Sequence, residues 1–329
     1  MNLISFIDLR NNFEGYLSLD YFNSIERFIE TDSIEKIKKF FLNNEHNFSF
    51  PNIVKTLSYL TNFINSKEVF SYLCSFMFEK VKNERLLYTE LVFSPQYYTI
   101  NNFEFLDQIE LLIETIKKTK LNIKLLINFI RNFGTKSAEN YFNILKEYLD
   151  EESRFWIRGI SLGGTEGSVQ VQDFEKIFRD AHEENLLTTT VLGTTQNVKD
   201  SWDAVFSIQP DRITYGYNIN NDFNLIRHFR ATQTPIELSS SSFLMQKPII
   251  STSIYPTKDH LFLEYFNSSF NVVSISDYSE LYQSKIRNEI EYLRKIGFDE
   301  SSVKEVVTSN AIKASFLTNY EKGELLLNI

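Results

Sequence analysis

The sequence predicts an α/β protein, a (β/α)8 TIM barrel with one helical insertion after the first strand. Three observations point there. Eight short apolar runs alternate with amphipathic stretches in which apolar residues recur at i, i+3 and i+4. No antiparallel hairpin signal joins any two of the runs, which favours a parallel sheet. Eight such units in 329 residues match the size of a single barrel. No Pro/Gly/Ser-rich linker, internal repeat or low-complexity run divides the chain, so residues 1–329 are expected to form one domain.

The first strand is Leu3–Leu9, ending in Arg10-Asn11-Asn12-Phe13-Glu14-Gly15. Residues 18–83 then read as helix almost throughout, with Ser18, Ser33 and Ser66 placed as N-caps. The second strand, Arg85–Phe93, stops at Ser94-Pro95, and a helix over Asn102–Lys118 follows. The third, Asn122–Ile130, runs into Arg131-Asn132-Phe133-Gly134 and a helix from Ser137 to Asp150. The fourth enters Gly159–Ser168, which holds four of the ten glycines, and a helix over Val171–His182 follows. Such a turn is either a tight connection or a place where a ligand meets backbone N–H groups. The fifth is Leu186–Leu192, ending at Gly193-Thr194, with a helix around Val198–Ile208. Arg212–Tyr215 is the sixth, ending at Gly216, with a helix over Asn220–Ala231. Thr234–Leu238 is the seventh, ending in Ser239–Ser242, and Pro248–Ser253 is assigned as the eighth. Helices over Thr257–Phe270, Asp277–Ile296 and Ser301–Asn319 complete the pattern.

The bulk numbers narrow the function. With 34 basic against 43 acidic residues and a net charge of −9, the chain lacks the clustered cations of a nucleic-acid surface. The basic run Lys117, Lys118, Lys120, Lys124 sits at a helix end, where cations suit the dipole. One cysteine, Cys74, lies in an apolar helical face; it excludes an internal disulfide and a thiolate metal cluster. The opening residues do not form a signal peptide, and no run of 18 apolar residues exists, so a cytoplasmic protein without a membrane span is expected. The four histidines, His46, His182, His228 and His260, all fall in helical stretches rather than at strand ends. No Ser–His or Cys–His pair, P-loop or dinucleotide fingerprint is present.

In a barrel of this kind the site lies at the carboxyl ends of the strands. Those ends, read in order, resemble the adenosine/AMP deaminase family of metal-dependent amidohydrolases. The family's L-H-x-H-L-x-G is met by Leu9-Arg10-Asn11-Asn12-Phe13-Glu14-Gly15, and its Y-x-E-x-R-x-x-P by Tyr88 to Pro95. Its G-x-D-L-x-G-x-E is met by Gly159 to Glu166, and its H-A-G-E by Val191-Leu192-Gly193-Thr194. Its R-I-G-H-G is met by Arg212 to Gly216, its T-D-D-P by Ser253-Ile254-Tyr255-Pro256, and its late N-x-x-x-x-S-F by Asn310 to Phe316. The likeness spans residues 3 to about 322, and the helical insertion belongs to it.

What the resemblance implies is a zinc-water centre, and here every implied position is changed. Arg10, Asn12, Val191, Tyr215 and Ile254 stand where the family places its metal-contacting residues, and Thr194 and Tyr255 replace acids. Valine and isoleucine have no lone pair, and a guanidinium is a fixed cation without an acceptor. No metal and no other cofactor is therefore expected, and hydrolytic, zinc-dependent deamination is predicted to be absent. The resemblance leaves Glu14 and Gly164 as elements that hold a purine nucleoside, while Glu166 keeps the family's acid in that turn. Asn12, Thr194, Tyr255 and Ser239–Ser242 are further candidates for a polar ligand site. For Glu14 two roles stay open, a hydroxyl anchor or a salt bridge to Arg10. Two functions follow. One is a pseudoenzyme that binds a purine nucleoside or nucleotide, or a protein partner such as an active deaminase relative. The other is a metal-free enzyme on such a purine, with Arg10, Glu14, Glu166 and Tyr215 in an open pocket and Tyr215–Glu166 as acid and base.

Overall fold

A computed structural model describes residues 6–44, 52–98, 103–240 and 260–327. Eight strands pair in chain order, every pair parallel: β1 Phe6–Asn12, β2 Leu86–Phe93, β3 Ile123–Ile130, β4 Ile157–Gly163, β5 Leu187–Leu192, β6 Arg212–Tyr215, β7 Ile236–Leu238 and β8 Val272–Ser274. The ring is brought round by a parallel bridge between Asn11 and Asp277, just past β8. There the Asn12 N–H donates to Asp277 O at 2.9 Å and the Asp277 N–H to Arg10 O at 2.9 Å. This is the expected (β/α)8 barrel.

The expected insertion is also present. Helices α1 Leu19–Ser24, α2 Thr31–Asn44, α3 Ile53–Thr61 and α4 Lys67–Glu84 lie between β1 and β2. Ser18 and Ser66 cap α1 and α4 by accepting from the N–H groups of Tyr21 and Val69. Ser33 does not cap: it lies inside α2, which begins two residues earlier. Aromatic residues fasten the insertion to the barrel wall, with Phe13 from the end of β1 meeting Phe70 of α4 and Phe93 of β2. Cys74 is buried in this layer, as its apolar face predicted.

The eighth strand is where the sequence reading needs correction. Pro248–Ser253 lies outside the described residues, and the strand that pairs with β7 is Val272–Ser274. The segment 278–285, assigned to a helix from its spacing, is irregular, and the helix begins only at Ile286. Strand β1 also extends further than expected, so Arg10, Asn11 and Asn12 belong to the strand. A register shift between Asp8 and Asn11 sets three steps of β1 against two of β2. At the barrel's floor Phe316 fills the interior. A Cβ on Gly159 would lie 3.0 Å from its ring and 2.2 Å from Leu187 O, so this position needs glycine. Among the described residues no helix is long and apolar enough to cross a membrane.

Candidate functional site

The barrel's interior is charged rather than apolar. Arg212, from β6, places Nε 2.6 Å from Glu237 Oε1 of β7 and donates from NH2 to Glu90 Oε2 of β2 at 2.5 Å. Its guanidinium also lies 3.8 Å above the Phe316 ring. Glu90 accepts from the Tyr88 hydroxyl at 2.9 Å and the Phe316 N–H at 2.6 Å, and Glu237 from the Thr214 hydroxyl at 2.6 Å. Arg10 of β1 reaches across the barrel: its NH1 donates to Ser161 Oγ of β4 at 3.2 Å and lies 3.9 Å from Glu237 Oε2. Burial pushes the Glu237 carboxyl above its ordinary range, and the two guanidinium groups oppose that push. Arg10, Arg212, Glu90 and Glu237 thus share one buried interior, a balance that burial demands.

Above this layer sits Asp277. Its Oδ1 accepts from Asn12 Nδ2 at 2.7 Å and its Oδ2 from the Tyr215 hydroxyl at 2.6 Å. Both Asp277 (φ +63°) and Tyr215 (φ +76°) hold left-handed backbone, a conformation that costs energy for a residue with a Cβ and gathers at strand ends that build sites. The Tyr215 ring stacks on Tyr217 with centroids 5.1 Å apart.

Asp277 was missed from sequence. With β8 at Val272–Ser274, Ser276-Asp277-Tyr278 stands at the strand end where Ser253–Pro256 was placed. The first acid of the family's T-D-D-P motif therefore finds a counterpart in Asp277 rather than Ile254. Tyr255 and Ile254 lie outside the described residues. The signal was available: Val272, Val273 and Ile275 are β-branched, and the run is bounded by Asn271 and by Ser276-Asp277. Arg212, Glu90 and Glu237 were also missed as a group, because their pairing joins three separate strands.

The other candidates are engaged one by one. Glu14 is buried and does not bridge to Arg10. Its Oε1 accepts from the Ser94 N–H at 3.0 Å and its Oε2 from the Ser94 hydroxyl at 3.1 Å. Burial pushes its carboxyl up to about 7, against these hydrogen bonds. Glu166 does not face Tyr215. It accepts from the Gly193 N–H at 3.0 Å, the Thr194 N–H and hydroxyl at 2.6 Å each, and the Thr195 N–H at 3.0 Å. The expected Tyr215–Glu166 acid/base pair is thus replaced by two separate contacts, Tyr215 on Asp277 and Glu166 on the turn after β5. Thr194 spends its hydroxyl on Glu166. Gly164 (φ +92°) turns the chain after β4 where a Cβ would come within 2.7 Å of Asn132 Oδ1, so the glycine is required by the turn itself. Ser239 and Ser240 do not form an anion cradle: the Ser239 hydroxyl and the Ser240 N–H both donate to the Glu289 carboxylate. Ser241 and Ser242 lie outside the described residues. Val191 is buried at the end of β5. Among the described residues no three His, Cys, Asp or Glu side chains converge in a way that could hold a metal ion.

With this geometry in view, comparison with known proteins identifies the family. The adenosine deaminase family model matches residues 19–329. An adenine deaminase of Wolinella succinogenes is 23% identical over 254 residues, covering 76% of this chain and 74% of its own. An adenine deaminase of Acinetobacter baylyi is 23% identical over 326 residues, covering 96% and 92%. Among solved structures, the adenine deaminase of Arthrobacter aurescens superposes with a TM-score of 0.84 at 18% identity, covering 98% of this chain and 97% of that one. The N6-methyl-AMP deaminase of Arabidopsis thaliana superposes with a TM-score of 0.80 at 19% identity, covering 99% and 96%. At these identities the superpositions establish the shared fold.

Proposed function

This chain belongs to the adenosine deaminase family, and we propose that within it the chain is a pseudoenzyme, acting by binding rather than by hydrolysis. Its ligand is a purine nucleoside or nucleotide, or its partner is an active deaminase relative. One observation carries the reading: a buried guanidinium, Arg10 of β1, lies inside the barrel, paired with Ser161 and Glu237. A guanidinium donates hydrogen bonds and accepts none, so it cannot ligate a metal. It also repels one, by roughly 8 kcal/mol for charges of +1 and +2 about 4 Å apart at an effective dielectric near 20.

The remaining donors support the same reading. Asp277 already takes one hydrogen bond on each oxygen, from Asn12 and Tyr215. Val191 offers no lone pair. Among the described residues the side chains do not fit a divalent cation, and a hydrolase that activates water on such an ion would lose its nucleophile with it. Glu14 and Gly164 are the positions the family likeness assigns to purine binding, and contacts within the chain hold both, Glu14 through Ser94 and Gly164 in its turn beside Asn132.

The test is an assay of the purified chain with adenine, adenosine, AMP and N6-methyl-AMP, with and without added Zn2+, followed by ammonia release. The expected result is no ammonia above the protein-free blank. Release that scales with protein concentration would overturn the proposal. The same purines in a thermal-shift titration separate the two binding roles. A ligand at a hundred times its dissociation constant stabilises by about 2.7 kcal/mol, whereas a chain that only recruits a relative shows no shift.

A further inference from the structure

Glu84 is the last residue of α4 and is 5% exposed. Among the described residues, neither of its carboxyl oxygens has a hydrogen-bond partner. Three features of the place disfavour a negative charge. The end of a helix carries partial negative charge from its free carbonyls. Burial removes water. Two acids face it, Asp8 from β1 and Glu280 from the segment after β8. The Tyr16 hydroxyl, from the turn that follows β1, faces it too, with Asn11 and Ser279 beside it. Lys285 is the opposing cation, but its Nζ lies 2.6 Å from Glu280 Oε1. On α4 itself, Lys80 also pairs with Glu280, at 3.4 Å. The Ile286 N–H approaches Glu84 outside normal hydrogen-bond geometry. Burial first, and Asp8 second, push the Glu84 carboxyl up to about 7.

Two of the groups facing Glu84, Glu280 and Lys285, lie on the irregular stretch between β8 and the helix that begins at Ile286. That stretch is tied to the barrel by the Leu281 N–H on Gly15 O at 2.9 Å and by the Ser284 hydroxyl on Ser276 O. The same stretch lines a groove of about 1080 Å³. The insertion contributes Ser18, Asp20, Lys38 and Phe41 to that lining.

We propose that Glu84 is a proton-operated latch: neutral, it lets residues 280–286 pack against the end of α4, and ionised, it pushes them off and widens the groove. An ionised carboxylate there must draw Lys285 away from Glu280 or admit water, and either change moves the same segment. The operating range is near neutral pH, because below it the neutral form fits the buried place and above it the charge must be accommodated.

Hydrogen exchange read by mass spectrometry on peptides spanning 279–288 tests this in the full chain. Rates are scaled for the ordinary pH dependence of amide exchange. In the wild type, scaled exchange is expected to rise about tenfold from pH 6 to pH 8, since with a midpoint of about 7 the ionised fraction rises from roughly one tenth to roughly nine tenths over that range. Glu84→Gln should hold the slow rate at both pH values. Lys285→Gln, which removes the cation that favours ionised Glu84, should move the rise to higher pH. A flat wild-type profile overturns the latch. So does a Glu84→Gln chain that keeps the wild-type rise, or a Lys285→Gln chain with an unmoved one.

Discussion

Arg212 and Arg10 both point into the barrel, but they do unequal work. Arg212 holds two carboxylates, Glu90 and Glu237, at 2.5 and 2.6 Å. Arg10 touches Glu237 only at 3.9 Å. Removing one partner of a buried ion pair leaves an uncompensated charge, at a cost of about 3–5 kcal/mol. Arg212→Met should therefore lose about 4 kcal/mol of unfolding free energy in urea, and Arg10→Met about half of that, because Glu237 keeps Arg212. An Arg10→Met chain as damaged as Arg212→Met would show that the pairing has been misjudged. From sequence, the chemistry of Arg10 was legible and its company was not. The residue type alone excludes metal ligation. Its contacts, Ser161 and Glu237, arrive from strands four and seven, and no local pattern announces them. Glu14 shows the same limit: its burial could be guessed from the strand end, but the choice of Ser94 over Arg10 is made by the third dimension.

Strand β8 is three residues long, and its exit is where the barrel is drawn closed. Asp277 does this twice, through its backbone on Arg10 and Asn12 and through its carboxylate on Asn12 and Tyr215. Asp277→Asn keeps a side chain that tolerates φ > 0, so it isolates the carboxylate's part. Hydrogen bonds to a charged group contribute about 1.5–3 kcal/mol each. The substitution should lower stability by about 2 kcal/mol, since the amide keeps one acceptor and loses the charge. No change in the urea midpoint would mean that the Asn12 and Tyr215 contacts do not fasten the seam. This element was also the hardest to read. The long strands β2 and β3 declare themselves by unbroken apolar runs and by the signals that bound them. A three-residue strand between two helical patterns lies below the length at which periodicity discriminates, and Pro248–Ser253, with the β-branched Ile249, Ile250 and Thr252, competed with it. The misplaced strand carried the T-D-D-P correspondence with it and hid Asp277.

For the molecule as a whole, the alternation of strand and helix was enough to give the barrel and its insertion, because each unit must bury one face and the order of burial follows the chain. What the alternation does not contain is the interior. Barrels of this kind are filled by layers of side chains, and here a layer of arginines and glutamates lies beneath a seam held by an aspartate, an asparagine and a tyrosine. That arrangement pairs its charges within the chain, and it supports the binding role proposed for a member of a family whose named relatives are deaminases. The most direct measurement is elemental analysis of the chain purified from zinc-supplemented cells without chelators. Zinc and other divalent metals are expected far below one per chain; a stoichiometry near one, as a catalytic centre holds, would overturn the metal-free reading.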